Sequence, residues 1–320
     1  MFCCAYLIAQ QPAATPDWRA VLGWLPTDTQ TLIVATQPFV IAVRVEDEDA
    51  EISPIDTLRR FGLGRLDDFP PLYEALVGHT VTFALAGVRE YRRFSGLGLG
   101  PYDGCAVIVF ARPLGDRWQS AISGLAKEDW SGHTVFVLST EREGSLRTAP
   151  DQLNLFVTQF GSNFLVTATD RGSLHSLLER RAGVQTDHAL PGGLPEWREV
   201  DVTAPVWALR HYRHTYDPKT KRSVLSLGPM EEPDDAKAVG LVYNVQPIGP
   251  VQKLYYLSQN KQIDGVIHHH WEWKDEGLAT PKVRRRAKGV AEVTVPTPSA
   301  AATGSFFLLL LSSLGYEIAM

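Results

Sequence analysis

The feature that most limits what this chain can fold into is a succession of short apolar, β-branched runs separated by turn residues. In the first half these are TLIVATQPFVIAV (31–43), VTFALAGVREYRRF (81–94), CAVIVFARP (105–113), TVFVLST (134–140), LNLFVTQF (153–160) and NFLVTATD (163–170). Runs of this length and composition predict strands, and Gly161 with Ser162 between the last two predicts a hairpin. In the second half, PVWALRHYRH, KAVGLVYNVQ, VQKLYYLSQ, DGVIHHHWEW and GVAEVTVP alternate apolar and polar residues, as half-buried strands do. The 21 prolines and 26 glycines are enough to supply the many turns such a chain needs.

Helices are expected between the strands. SPIDTLRRFG offers Ser53 as a cap, Pro54 at the first helical position and Gly62 as a stop. DDFPPLYEALVGH repeats the device with Asp68, Pro70, Pro71 and Gly78. LGDRWQSAISGLA spaces Trp118, Ile122 and Leu125 for one helical face. Asp170 is placed to cap RGSLHSLLERRAG, whose stripe is Leu174, Leu177 and Leu178 and whose stop is Gly183. FFLLLLSSLG (306–315) is too short to cross a bilayer and predicts a buried C-terminal helix, so no membrane-spanning segment is expected.

The expected fold is therefore α+β, with mixed and antiparallel sheets and helices packed on one face. Residues 1–20 read as a disordered or targeting segment, 21–190 as an α+β lobe, and 191–320 as a mostly antiparallel lobe closed by the terminal helix. The boundary falls in QTDHALPGGLPEW. GWLP before TLIVA and GGLP before PVWAL hint that the lobes are related by duplication.

Composition narrows the function classes. A formal charge of -5 argues against nucleic acid as a partner, since phosphate binding needs a basic face. Of the three cysteines, Cys3 and Cys4 are adjacent and Cys105 opens an apolar run, so no disulfide framework or zinc pattern exists. MFCCAYLIAQQPAATP has a short apolar stretch but no basic start, which leaves cytoplasmic and exported locations both open.

LPTDTQTLIVA and NFLVTATDRGSLHSLLER resemble segments of bacterial proteins, many from planctomycete-type genomes, that pair an LP-x-D-T opening with a strand, A-T-D, helix unit. That group has no established activity. The resemblance implies an α+β fold and a bacterial source, and no catalytic residues.

No recognised catalytic signature is present. GLGLG (96–100) runs into Pro101, Tyr102, Asp103 and Gly104 and then a strand, whereas a dinucleotide loop must open a helix. EDEDAE (46–51) lacks the glycine and spacing of a calcium loop. VRRRAKG (283–289) reads as an exposed strand edge whose charges resist edge-to-edge pairing. GxSxG and HExxH are both absent.

The three histidines of DGVIHHHWEWK need more weighing. On a strand, His268 and His270 share a face about 6 to 7 Å apart, close enough to converge on zinc if His211 or His214 from a neighbouring strand completes the set. Solvated strand histidines are the commoner outcome. Tyr212, Trp271 and Trp273 belong to an aromatic-rich second half suited to contact with another protein, or to cross-strand packing. The favoured expectation is a non-enzymatic structural or protein-interaction module. A zinc-binding protein or metal-dependent hydrolase on His268, His270, His211 and His214 is the alternative.

Overall fold

The computed structural model describes residues 17–29, 31–42, 66, 69–91, 102–142, 151–184, 190, 195–198, 200–211, 216–217, 222–223, 236–246, 249–258, 282–287 and 290–295. The first-half strands are β1 (Thr31–Ala35), β2 (Phe39–Val40), β3 (Thr80–Tyr91), β4 (Tyr102–Phe110), β5 (Ala126–Trp130), β6 (His133–Arg142), β7 (Asp151–Phe160) and β8 (Phe164–Ala168). The second half holds β9 (Val206–His211), β10 (Tyr216–Asp217), β11 (Arg222–Ser223), β12 (Ala236–Gln246), β13 (Gly249–Ser258), β14 (Lys282–Ala287) and β15 (Val290–Val295). Four α-helices are described: α1 (Trp18–Leu22), α2 (Pro70–Leu76), α3 (Asp116–Ser123) and α4 (Arg171–Arg181).

One 13-stranded sheet runs β14-β15-β13-β12-β9-β1-β3-β4-β8-β7-β6-β5, with β2 beside β3; β10 and β11 pair separately. Every described pairing is antiparallel, so no mixed sheet is found among these strands. The sheet crosses the stretch 185–200 without interruption, because β1 pairs with β9 through Ile33↔Ala208. Outward from that central pair the order is the same on both sides: β3 then β4 on one, β12 then β13 on the other.

The fold is α+β, but its helices lie on both faces of the sheet rather than on one. Leu72, Tyr73 and Leu76 of α2 and Trp118 and Ile122 of α3 share a core with Ile33, Ala35, Ala84, Ala106 and Ile108. Val21 of α1 and Leu174, Leu177 and Leu178 of α4 share a second core with Leu32, Val34, Leu85, Val107 and Val109. The reason is visible in the strands. β1 is buried at all five positions, and β4 from Gly104 to Phe110, so both of their faces need cover. A strand wet on one face would alternate instead.

Local chemistry explains most element ends. Pro38 carries no amide hydrogen for a ladder bond, and the expected long first strand breaks there into β1 and β2. The first residue of α2 is Pro70, and its N-cap is Phe69 rather than the expected Asp68, with no side-chain cap bond. A proline in the first turn removes one amide that a cap would otherwise have to satisfy. Asp170 caps α4 as expected, accepting a bond from the Ser173 amide. The segments 53–62, 96–100, 264–274 and 306–315 lie outside the described residues.

Where β3 and β4 pair, the backbones approach closely: a Cβ on Gly104 would stand 2.3 Å from the Gly87 carbonyl oxygen. Gly104→Ala is expected to cost about 3 kcal/mol by forcing the two strands apart. Gly124→Ala, where a Cβ meets nothing within 4 Å, should stay within about 1 kcal/mol of wild type. Denaturant unfolding of the two variants checks the contrast.

Candidate functional site

Two clusters of polar side chains lie on the α1/α4 face of the sheet. The first is centred on Arg89. Positions 85, 87 and 89 of β3 alternate onto that face, and Gly87 leaves room there for the side chains of Leu25 and Thr29. The LPTDT loop is thereby seated against the sheet, which brings Asp28 to Arg89. Arg89 Nε donates to Asp28 Oδ1 and Oδ2, both at 2.8 Å, and its Nη1 donates to Ser173 Oγ at 3.0 Å. The same Nη1 is 3.5 Å from Asp170 Oδ1. Asp28 belongs to the LPTDT segment and Asp170 to the ATD segment. The two stretches that stood out in the sequence thus meet at one guanidinium.

This cluster is built for holding rather than for reacting. Ser173 is fully buried, and its hydroxyl donates to the Asp170 carboxylate that already caps α4. A nucleophilic serine needs a base free to take its proton, and a carboxylate occupied by a helix cap and a guanidinium is a poor one. Cys105 lies beneath, and burial, aided by the Asp170 charge, pushes its thiol up to about 12. A thiol so shifted stays protonated and unreactive.

The second cluster lines a groove of about 500 Å³ between the β5–β6 turn and α4. Ser131 and Gly132 both have positive φ, 52° and 79°, the geometry of a two-residue hairpin turn. That turn places Asp129, Trp130 and Ser131 along one side. The other side is one stripe of α4, with Arg171, His175 and Glu179 four residues apart and Gly172 and Ser176 beside them. Arg171 Nη2 is 2.6 Å from Glu128 Oε1, and its guanidinium carbon stands 5.6 Å from the ring centres of both Trp130 and Phe156. Trp130 donates its indole hydrogen to Glu128 Oε2 at 2.9 Å, and His175 Nδ1 is 3.3 Å from Glu179 Oε1. Glu128 thus engages Arg171, Asp129 Oδ1 accepts from the Gly132 amide at 3.2 Å, and Glu179 sits beside His175.

Of the histidines expected to bind zinc, only His211 falls among the described residues. It ends β9 opposite Ala238 of β12, and the flanks of β9 are taken by β1 and β12. His214, His268 and His270, and the expected partner-facing Tyr212, Trp271 and Trp273, lie outside the described residues. Among the described residues no group of three or more His, Cys, Asp or Glu side chains is arranged to hold a metal.

Sequence reasoning did not single out Arg89, Glu128 or Arg171. Only Ser131–Gly132, a turn dipeptide, could have pointed to the β5 hairpin, because AKEDW itself shows no apolar alternation.

Fold and site together define a class: a large antiparallel sheet whose central strands lie between two helix layers, with polar groups gathered into a structural clamp and an open groove lined by acidic and basic side chains. No protein-family model and no curated protein matches the chain. Among solved structures it is similar to crystal form I of TP0453, at 11% identity and a TM-score of 0.47, over 95% of this chain and 99% of that one. Crystal form IV of TP0453 gives 11% identity and a TM-score of 0.45, over 89% and 96%. Likenesses at this level carry no argument about function.

Two outcomes test the cluster around Arg89. Arg89→Ala is expected to cost about 1–3 kcal/mol, between the values for exposed and buried pairs because the partners are partly exposed, and Arg89→Lys should recover only part of it. Cys105 should resist thiol labelling in the folded protein and react on unfolding. Its folded-state pKa is raised, so the unfolded thiol ionises first as pH rises: stability should fall between about pH 9 and pH 12, and Cys105→Ala should remove that slope.

Proposed function

We propose that the chain is a non-enzymatic protein-interaction module that takes a positively charged segment of its partner in the groove between the β5–β6 turn and α4. The observation that carries this reading is the lining of that groove, where Asp129 and Glu179 stand with Arg171, whose guanidinium Glu128 engages. An arriving Lys or Arg side chain would meet Asp129 on the turn side of the groove and Glu179 on the α4 side. The locked serine and protonated thiol of the Arg89 cluster support a role without covalent chemistry. The groove is lined by residues other than the Tyr212, Trp271 and Trp273 that the sequence offered for partner contact.

Exposed ion pairs contribute only a few tenths to about 1 kcal/mol each, so a short basic peptide should bind weakly, with Kd on the order of 1 mM or above. Binding should weaken as salt shortens the screening length. Amide shifts of isotope-labelled protein provide the check. A Lys/Arg peptide should move Ser131, Gly172 and Ser176, and Glu179→Lys should abolish the effect. A Glu peptide moving the same amides as strongly, or no shift with the basic one, would contradict the assignment.

A further inference from the structure

Arg171 occupies a place on its helix that disfavours it. It is the first residue of α4, where the amides of the opening turn form a positive end, so a cation there works against the helix dipole. The cap Asp170 offsets part of that charge, but the first turn itself holds no acidic side chain. What holds Arg171 is a notch built from β5 and β7. Glu128 Oε1 accepts from its Nη2 at 2.6 Å, and its guanidinium carbon stands 5.6 Å from the ring centres of both Trp130 and Phe156. Those rings are 5.7 Å apart and tilted by 32°. Glu128 is fixed in turn by the Trp130 indole, which donates to Oε2 at 2.9 Å.

A carboxylate held by a second group and flanked by two aromatic rings suits a guanidinium. The planar fork meets the carboxylate while the delocalised cation is drawn to the rings, and a compact ammonium matches that combination poorly. The hold is weak, because 62% of the Arg171 side chain stays exposed and the ion pair is screened by water and salt. We propose that the notch of Glu128, Trp130 and Phe156 is the arginine-selective subsite of the groove, and that Arg171 is its resident occupant, an internal competitor that a partner's arginine displaces. The inference rests on the groove reading above and names the side chain that the groove selects. Arg171 and Trp130 both line the groove, so a ligand lying there reaches the notch. Displacement exchanges one guanidinium for another, so wild-type affinity is reduced by the fraction of time that the notch stands open.

The Trp130 indole N–H resonance of the isotope-labelled full chain reads the notch directly. The probe is arginine amide acetylated at its α-amino group, compared with the same derivative of lysine. In Arg171→Ala the arginine probe should shift that resonance and bind about three- to tenfold more tightly than in wild type, while the lysine probe gains less. Arg171→Gln, which keeps a polar side chain of similar reach, should show the same gain, and adding Glu128→Gln to either variant should remove it. Equal affinity of wild type and both Arg171 variants for the arginine probe would overturn the proposal, as would an equal gain for lysine. A basic peptide that moves Ser131, Gly172 and Ser176 without moving the Trp130 indole would overturn the subsite and leave the groove reading standing. A peptide that moves none of them would overturn both.

Discussion

The constraint on which the rest of the structure depends is that the central strands are apolar on both faces. Ile33 and Ala35 look to one side of β1, Leu32 and Val34 to the other, and all four are fully buried. At about 25 cal/mol for each Å² of apolar surface removed from water, strands of this kind are stable only with a helix layer on each side. α2 and α3 form one layer, and α1 and α4 the other. The ends of the sheet depart from this rule. β5 has no fully buried residue, and β14 carries four basic side chains in six positions. A buried centre and charged outermost described strands follow from the same partition of hydrophobic residues.

Arg89 ties that centre to its cover. A glycine at position 87 admits Leu25, the loop that follows delivers Asp28, and α4 delivers Asp170 and Ser173 through its cap. Arginine suits the place because its planar fork can meet a carboxylate with two donors and still reach a third acceptor, which an ammonium cannot do with the same geometry. α4 is held at its first turn by this clamp, and its outward stripe forms one side of the groove. The structural cluster and the candidate binding surface are thus opposite faces of one helix start.

Much of this was legible in the residues and some was not. Asp170 before a leucine stripe with Gly183 after it announced α4, and Gly161–Ser162 announced the β7–β8 hairpin, because capping and turn chemistry are local. VRRRAKG read as a strand edge for the same reason, and β14 is the outermost described strand on its side. The second helix layer was missed because a continuous run such as CAVIVF says that a strand is covered without saying by what. β5 was missed because an edge strand wet on most sides needs no apolar period. The Arg89 cluster joins residues 61 and 81 positions apart, a relation that no local pattern encodes. The histidine segment 264–274 lies outside the described residues, and the zinc expectation stands where the sequence left it.

The measurement that tests the account most directly is native-state hydrogen exchange resolved by strand. Amides of β1, β3, β4, β8 and β9 should exchange only through global unfolding, while those of β5 and β14 should exchange faster by at least about tenfold, since edge strands open locally. Protection at β5 or β14 equal to that of β4 would contradict the picture of a doubly covered centre with charged strands outermost among those described.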